Sequence, residues 1–580
     1  MAGCSVAREG QARWCALLLL ALAAGCATLP SKTHIKVTID GVEGDERRNV
    51  LTRLSVWRYR ERADVDRDTM QRLTNRIDGE VKNALRPFGY YEPSVASDWR
   101  ESGKDWQVAI AIKPGEPVRV RELTIDIQGA GKDDPAFDSV RQQSLLRVGM
   151  RLHHGAYEQM KGDMLRIAQS SGYLDARMLR SEMLVDTAAH SAGLTLVLDT
   201  GSRYRFGHVD ILQSTIRPQL MQRFLRFGEG DAYSTDELLR TQFALDDSLY
   251  FSNVQVEPGK QDPQTLTVPV SITAGTARPT FSVGGGYGTD TGVRGTVAWT
   301  DPRVNSLGHR FRAEIQASQH TREVDSRYDI PIGDPALERM SLEGLNTYNE
   351  ISDISTNTTS LTPSITRVYG RWQTVTSVAL THTTTDESSG SLTSNLLVPG
   401  FVIASVPKDF LGEELYSRAL YAELLGSHTA LGSDSNFLRL HVQSEHTFDL
   451  SYQWHLQLRG EVGAALVHDL HDLPGIYRFF AGGDRSVRGF AFNSLSPDGT
   501  GGRYLLVGST EVVRDLPWNL AVATFFDFGN AFNDLHVRLQ DAAGVGLRYR
   551  LPGVSIGLDF AKPLSTNGNV RLHLNITPKL

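Results

Sequence analysis

Two hydrophobic patterns divide the chain near residue 279. Before this point, stretches with apolar residues every three or four positions alternate with strand-like sequence, and the helix-like stretches are 69–85, 157–169 and 235–247. After it, apolar and polar residues alternate with period 2: Leu438, Leu440 and Val442 lie between Arg439, His441 and Gln443. The pattern predicts a mixed helix-and-strand region followed by a region of long strands.

The first region contains a weak repeat of about 80 residues, which indicates tandem modules. Its marks are the segments 88–91, 171–174 and 248–251, each of which follows a helix-like stretch and precedes strand-like sequence. One unit therefore predicts strand, helix, helix, strand, strand, with the helices on one face of a three-stranded sheet. We expect three α+β modules, over 32–115, 116–201 and 202–276.

The second region, 279–580, carries one apolar and one charged face on strand after strand. A soluble sandwich has such faces too, but it rarely needs so many long strands in sequence. A barrel in the outer membrane turns its apolar face to lipid and its polar face to a wet lumen. At roughly 19 residues per strand and connection, the region predicts a transmembrane β-barrel of about 16 antiparallel strands.

The composition and the N-terminal segment indicate the cellular compartment of the protein. The chain has 580 residues and a net charge of −7, which argues against a general nucleic-acid binder. Arg8 and Arg13 precede an apolar stretch over 14–24 that is too short to span a bilayer. Residues 1–26 therefore predict a secretory signal, and no later segment has the length of an apolar transmembrane helix.

The three cysteines, Cys4, Cys15 and Cys26, all lie in this segment, so the mature chain needs no disulfide. Residues 22–26 resemble a bacterial lipoprotein box, which would leave Cys26 acylated as the first mature residue. Ordinary cleavage near Ala27 is the alternative, and the sequence leaves both open. Either one places the mature protein beyond the inner membrane of a bacterium.

A glycine- and arginine-rich segment at 479–490 is expensive to bury, because Arg488 needs a carboxylate inside the protein. Asp527, between aromatic residues on a predicted strand, is the candidate partner, with Phe525 and Gly529 beside it. We expect a loop over about 480–500 to fold into the lumen; a surface loop with a chance Arg-Gly pair is the alternative. Its candidate residues are Gly482, Gly483, Asp484, Arg485, Val487, Arg488, Gly489 and Phe490.

The two ends of the predicted barrel form the second candidate site. Glycine weakens a strand because it loses more entropy on ordering and packs little, and proline cannot donate a ladder hydrogen bond. We therefore expect a weak seam between the first strand, over 281–288, and the last, over 569–580. The candidate seam residues are Gly284, Gly285, Gly286, Tyr287, Gly288, Asn575 and Pro578.

The Val-Arg-Gly-Phe run at 487–490 and the Phe-x-Asp-x-Gly run at 525–529 resemble the lumen loop and its facing strand in the BamA/TamA superfamily. The repeats look like POTRA domains, and the segments 203–209 and 578–580 are similar to the TamA family in particular. Relatives tend to carry glycines near the end of the last strand, where this chain has Asn575 and Thr577. That departure puts an inward kink of the strand in doubt.

The resemblance implies a TamA-type assembly factor in the outer membrane, with its POTRA arm in the periplasm. It implies insertion or translocation of autotransporters and other β-barrel clients through a lateral seam, contact with outer-membrane lipid, and a TamB-like partner anchored in the inner membrane. We expect no cofactor, no metal and no enzymatic activity. The segment 468–472, with two His and two Asp, predicts a polar loop rather than a metal site.

Several alternatives stay open at this point. A two-partner secretion exporter usually carries two POTRA modules and a plug helix, and BamA usually carries five modules, so three modules disfavour both. A phospholipid conduit between the membranes is compatible with the same residues. A passive porin is disfavoured by the arm and the lumen loop.

Overall fold

The computed structural model describes residues 34–578 except 63, 103–104, 144–145, 291, 352–353, 389, 406–419, 535 and 552–553. The predicted signal at 1–26, with Cys26, and the last two residues lie outside the described residues, as do the side chains of Asn575 and Pro578. Among the helices that the structure describes, none combines the length and the apolar character needed to cross a membrane.

The first module is a three-stranded sheet covered by helices. Its strands lie in the order β1-β3-β2, with β1 parallel to β3, and are β1 (Ile35–Asp40), β2 (Ser94–Ser102) and β3 (Asp105–Lys113). The helices are α1 (Gly44–Arg53), α2 (Ser55–Arg58), α3 (Arg67–Thr74) and α4 (Ile77–Leu85). Alternate residues of β3, from Trp106 to Ile112, are buried in the module's apolar core.

Two more sheets repeat this arrangement. The order β4-β6-β5 joins β4 (Arg119–Gln128), β5 (Arg177–Asp186) and β6 (Ser191–Asp199), with helices α5 (Asp138–Gln143) and α6 (His154–Ser170). The order β7-β9-β8 joins β7 (Arg205–Leu212), β8 (Phe251–Pro258) and β9 (Thr267–Thr276), with helices α7 (Pro218–Gln222) and α8 (Thr235–Asp246). The predicted α+β modules are thus confirmed as folds, while their exact boundaries stay predictions.

The repeat marks are helix-to-strand turns within each module, and the first two accept a hydrogen bond from the start of the next module. Gly89 has φ +85° and its carbonyl accepts the N–H of Val118 at 2.8 Å; Gly172 has φ +93° and accepts that of Tyr204 at 2.8 Å. A Cβ at either glycine would lie 2.6 Å from a backbone oxygen, so both positions require glycine. In the third mark Leu249 takes the same left-handed conformation, with φ +62°.

The second region is a closed antiparallel barrel, as predicted. Sixteen strands of the described chain pair in sequence order, and the first pairs with the last. They are β10 (Thr280–Gly288), β11 (Gly292–Asp301), β12 (Arg310–Ala317), β13 (Thr321–Pro331), β14 (Glu338–Ile351), β15 (Ile354–Tyr369), β16 (Trp372–Glu387), β17 (Gly390–Ser405), β18 (Tyr421–Ser427), β19 (Phe437–Ser451), β20 (Trp454–Val467), β21 (Tyr504–Leu516), β22 (Leu520–Phe532), β23 (Gln540–Leu551), β24 (Val554–Pro563) and β25 (Arg571–Pro578).

The predicted alternation holds on β19, where Leu438 and Leu440 are about half exposed on the outside. On the inside, Arg439 forms an ion pair with Glu423, and His441 forms a hydrogen bond with Glu461. The expectation of a uniformly polar inner face is wrong elsewhere on the wall. Four buried apolar residues of β17 and β21 line the inside, namely Leu396, Val398, Leu505 and Val507. They cover the apolar residues of a loop that enters the barrel.

The third module contacts the turns at the base of the first strands. Tyr250 is buried and donates its hydroxyl to the carbonyl of Gly308, in the turn between β11 and β12. Arg226 forms a two-pronged pair with Asp334, in the turn between β13 and β14. These turns therefore mark the end of the barrel that the third module contacts, and the β20–β21 connection lies at the opposite end.

Candidate functional site

The connection between β20 and β21, residues 468–503, folds back inside the barrel and is called the lumen loop below. It has its own ladder contacts, between Phe479 and Gly502 and between Ala481 and Leu495. Its apolar side chains share one buried cluster with the wall, and the loop members are Leu470, Leu473, Tyr477, Phe479, Ala481 and Val487. The loop is thus a packed part of the interior.

Arg488 fixes the tip of the lumen loop to strand β22. Its Nε and Nη2 donate to the two carboxylate oxygens of Asp527 at 2.7 and 2.9 Å, and its backbone N–H donates to the same carboxylate at 3.1 Å. Asp527 is completely buried and Arg488 is 4 % exposed. A buried guanidinium without this partner would be strongly destabilising, so the pair specifies where the loop must lie.

The pair belongs to a larger charge network on the inner wall. Arg488 also donates to Glu511 at 2.5 Å, and its guanidinium carbon lies 3.4 Å from the ring centre of Phe525. Arg548 bridges Glu511 and Asp559, whose carboxylate lies 3.5 Å from Arg488. Three acids thus surround two arginines, and the cation–π contact adds to the stabilisation of Arg488.

Glycines allow the path of the tip. Gly482, Gly483 and Gly489 have φ of +102°, +104° and +94°, in the region that side chains disfavour. A Cβ on Gly483 would lie 2.6 Å from a carboxylate oxygen of Asp290, and one on Gly489 would lie 3.2 Å from Ala542. The tip therefore approaches both the wall and the first hairpin too closely for another residue.

The structure places the remaining candidate residues as follows. Val487 is buried in the shared cluster, and Phe490 packs against it. Arg485 is exposed and lies apart from the charge network. On β22, a Cβ at Gly529 would lie 2.6 Å from a backbone oxygen of β21, so this glycine permits close strand approach.

The seam between β10 and β25 is short. Within the described residues its register joins Tyr287 with Ile576 and Gly288 with Asn575. The neighbouring register of β24 with β25 runs without interruption from Val554 to Ala561. Most of the glycine-rich strand β10, including Gly284 and Gly285, thus pairs with β11 but not with a described residue of β25.

Side chains supplement the seam at its upper end. Arg294 of β11 reaches across Gly286 and donates to the carbonyl of Ile576 at 3.4 Å. A Cβ at Gly286 would lie 2.9 Å from the Arg294 guanidinium and 2.8 Å from that carbonyl, so glycine makes room for the bridge. Thr289 and Leu574 exchange two further hydrogen bonds, at 3.0 and 3.2 Å.

Several residues of the site were not predicted from the sequence, among them Glu511, Arg548, Asp559, Asp290 and His573. His573 of β25 accepts the N–H of Gly489 at 3.0 Å and bonds Asp484, whose own N–H donates to Asp290 at 2.6 Å. Each is one polar residue among many on the barrel's strands and turns, and the strand register that barrel closure sets brings them together.

Two segments of the chain match family models. Residues 36–114 match the POTRA domain 1 of TamA, and residues 417–576 match the Omp85 superfamily domain. The second segment contains the lumen loop, its facing strands and the last strand of the seam. The first coincides with the first module.

Known proteins give a consistent picture of the fold. An outer membrane protein assembly factor, BamA from Nitratidesulfovibrio vulgaris, is 23 % identical over 416 residues, which are 62 % of this chain and 48 % of that protein. The chain thus spans about half the length of the curated relative. BamA from Haemophilus ducreyi lacking POTRA domains 1–3 has a TM-score of 0.59 at 14 % identity, covering 79 % of this chain and 99 % of that one.

CdiB from Acinetobacter baumannii gives a TM-score of 0.43 at 15 % identity, with 80 % of this chain and 90 % of that one covered. On the two family matches, the chain carries a TamA-type POTRA domain and an Omp85 superfamily domain, the latter within its 16-stranded barrel.

Proposed function

We propose that this protein is a TamA-type factor in the bacterial outer membrane that inserts β-barrel clients, including autotransporters, through its seam. The observation that carries this proposal is the contrast between a two-residue seam and the long registers of the other strand pairs. An unpaired strand edge presents N–H and C=O groups to which a client strand can add. The free energy comes from client folding in the bilayer, with no nucleotide or cofactor.

The lumen loop favours the seam over the lumen as the client path. A client that passed through the lumen would have to displace the loop and separate Arg488 from the buried Asp527. Breaking a buried pair costs about 3–5 kcal/mol. Opening the seam breaks only a few backbone hydrogen bonds between β10 and β25, each worth about 1 kcal/mol. The easier route therefore leads sideways, which separates this proposal from export of a client through the lumen.

The arm supports a second part of the proposal. The match of residues 36–114 to a TamA POTRA domain supports an inner-membrane-anchored, TamB-like partner that contacts the first module from the periplasm. Strands β1 and β2 are the edges of that sheet and present free backbone groups for strand addition. Loss of co-purification with such a partner when residues 34–115 are deleted, with the barrel still folded, is the expected result.

Site-specific photo-cross-linking tests the route. A photoreactive residue is placed at Tyr287 on the seam, at Arg485 on the exposed face of the lumen loop, or at Leu380 on the outer face of β16, in cells that assemble an autotransporter. Tyr287 and Leu380 are similarly exposed, at 42 % and 52 %, so Leu380 controls for membrane contact alone. We expect client cross-links at Tyr287 and none at Leu380.

The other outcomes separate the rival functions. Client cross-links confined to Arg485 would favour a two-partner secretion exporter. Capture of lipid alone at Tyr287, with disturbed lipid traffic on deletion, would favour a phospholipid conduit. Equal client cross-links at Tyr287 and Leu380 would contradict lateral insertion.

A further inference from the structure

A cluster of three ionisable side chains links the lumen loop to both sides of the seam. Asp290 lies in the turn between β10 and β11, Asp484 on the lumen loop, and His573 on β25. One ligand-type atom from each lies within 4.8 Å of the other two. Asp290 and His573 are almost fully buried, at 7 % and 2 % side-chain exposure. Three separate elements thus meet at one buried point.

The hydrogen bonds in this cluster have a fixed direction. The backbone N–H of Gly489 can only donate, so Nε2 of His573, 3.0 Å away, accepts. The neutral ring then carries its proton on Nδ1, which donates to the carboxylate of Asp484. Asp484 in turn donates its backbone N–H to Asp290 at 2.6 Å. The chain of bonds runs from the last strand through the loop to the first hairpin.

The same directions argue against a metal centre, although two carboxylates and an imidazole are suitable ligands. With Nε2 accepting and Nδ1 protonated, the ring of His573 has no lone pair for a cation. A metal on Nδ1 would require a proton on Nε2, opposite the N–H of Gly489. The geometry therefore fits a hydrogen-bonded lock better than a metal site.

We propose that His573 and Asp290 hold the lumen loop across the seam as a strap, so that the seam opens only when the loop tip releases one of them. This inference rests on the proposed function and specifies its regulation. The loop residues 484–489 bond to β25 on one side and to the β10–β11 turn on the other. Separating β10 from β25 therefore stretches these bonds even after the two register pairs have parted. The tip is held against the wall by Arg488, so it cannot follow one edge freely.

In this account His573 is a positioning residue, and a client strand that displaces the loop tip would unlock the seam. Strand β25 also places His573 opposite Asp559 of the charge network, since the two are register partners. The lock and the Arg488 network are thus adjacent on one wall.

Distance measurements between paired spin labels test the lock in the full-length protein in lipid vesicles without client. One pair replaces Tyr287 and Ile576, which face each other across the seam; the other replaces Leu361 and Leu380, which are register partners of β15 and β16. The variant is His573→Ala. The matched control is His441→Ala. It removes another lumen histidine that hydrogen-bonds a carboxylate, Glu461, and this pair lies on β19 and β20, away from the seam.

We expect His573→Ala to increase severalfold the population with a longer distance at the seam, while the β15–β16 distance stays unchanged. His441→Ala leaves both distances unchanged. An unchanged seam in His573→Ala, or equal broadening of both pairs, would overturn the lock. If His573→Ala does not give a folded barrel, judged by gel mobility before heating, Asp290→Ala is measured in the same way.

A change of the seam distance on addition of zinc or a chelator would overturn the hydrogen-bonded lock in favour of a metal site. Because client is absent, the distances test the lock independently of the client route. A working lock without client cross-links at Tyr287 would contradict the proposed function alone.

Discussion

The seam and the opposite wall of the barrel are built from the same kind of element and differ in how they are joined. Strands β16 and β17 stay in register from Trp372 with Ser405 to Glu387 with Gly390, whereas the described seam joins Tyr287 with Ile576 and one further pair. Side chains add cross-strand bonds on the wall, such as that of His382 with Asn395 at 2.8 Å. Strand β10 of the seam instead carries four glycines within 284–288.

The difference favours opening at the seam, in line with the proposed function. Each cross-strand side-chain pair contributes roughly 0.2–1 kcal/mol, and a wall with many such pairs gains several kcal/mol over a glycine strand. Closure at the seam depends instead on a few bonds from Arg294, Thr289 and the lumen loop. The wall therefore contributes more to the stability of the barrel than the seam, and the few bonds at the seam decide how easily the barrel opens.

The largest effect is expected from a covalent seam. Cysteines in place of Tyr287 and Ile576, which are direct register partners, lie within the Cα separation that a disulfide spans. We expect oxidation to reduce client assembly by about tenfold or more, which corresponds to at least about 1.4 kcal/mol on the limiting step. Assembly in reconstituted vesicles before and after reduction measures this.

The matched control places cysteines at Leu361 and Leu380, register partners on the opposite wall. A disulfide there leaves client assembly unchanged. Loss of activity in both oxidised variants would mean that general rigidity, and not the seam, limits the reaction.

The second effect concerns the wall that holds the lumen loop. Asp527→Ala leaves Arg488 buried without its main partner, and we expect a loss of about 3–5 kcal/mol in the free energy of unfolding. Urea unfolding in lipid vesicles measures it. Asp386→Ala removes an exposed carboxylate from β16 and should change stability by less than about 0.5 kcal/mol. Equal effects of the two substitutions would contradict the role assigned to the network.

A smaller effect is expected where the loop tip meets the first hairpin. Gly483→Ala puts a side chain on a residue with φ +104° and towards Asp290, which we expect to cost about 1–3 kcal/mol and to loosen the seam. Gly460→Ala on β20 is the control, since its Cβ would meet no atom within 4 Å and should leave stability unchanged or slightly raised. The temperature at which gel mobility changes compares the two variants. An unchanged stability of Gly483→Ala would show that the loop tip does not stabilise the seam.

The smallest effect is expected at the Arg294 bridge. Arg294→Ala removes one long hydrogen bond across the seam, and we expect a loss of about 0.5–1.5 kcal/mol with faster opening. Arg322→Ala removes a cation–π contact with Tyr348 on the outer wall and leaves the seam distance unchanged. Spin-label distances between positions 287 and 576 distinguish the two variants. A wider seam in Arg322→Ala would show that the bridge is not specific.

Local sequence patterns predicted those features of the structure that neighbouring residues determine. The three modules and the barrel follow from periodicity, and the pairing of Arg488 with Asp527 follows from the cost of burying a lone guanidinium. The repeat marks were recognised as repeats, but the backbone contact that each of the first two makes with the next module depends on the φ of Gly89 and Gly172.

Residues that barrel closure brings together were beyond such reasoning. Asp290 and His573 are more than 280 positions apart in the chain, and nothing in either neighbourhood distinguishes them from other polar residues of alternating strands. The apolar inner wall at Leu505 and Val507 was missed for a related reason. A period-2 pattern identifies two faces, but the filling of the lumen decides which residues the inner face needs.

Hydrogen exchange of the backbone tests most directly whether the seam is the weak joint of the barrel. The folded protein in lipid nanodiscs is exposed to deuterated water, and peptides from β10 and β25 are compared with peptides from β15 and β16, since amides exchange when local structure opens. We expect faster exchange in both seam strands than in the opposite wall, and faster exchange still in His573→Ala. Equal protection of the seam and the wall would contradict it.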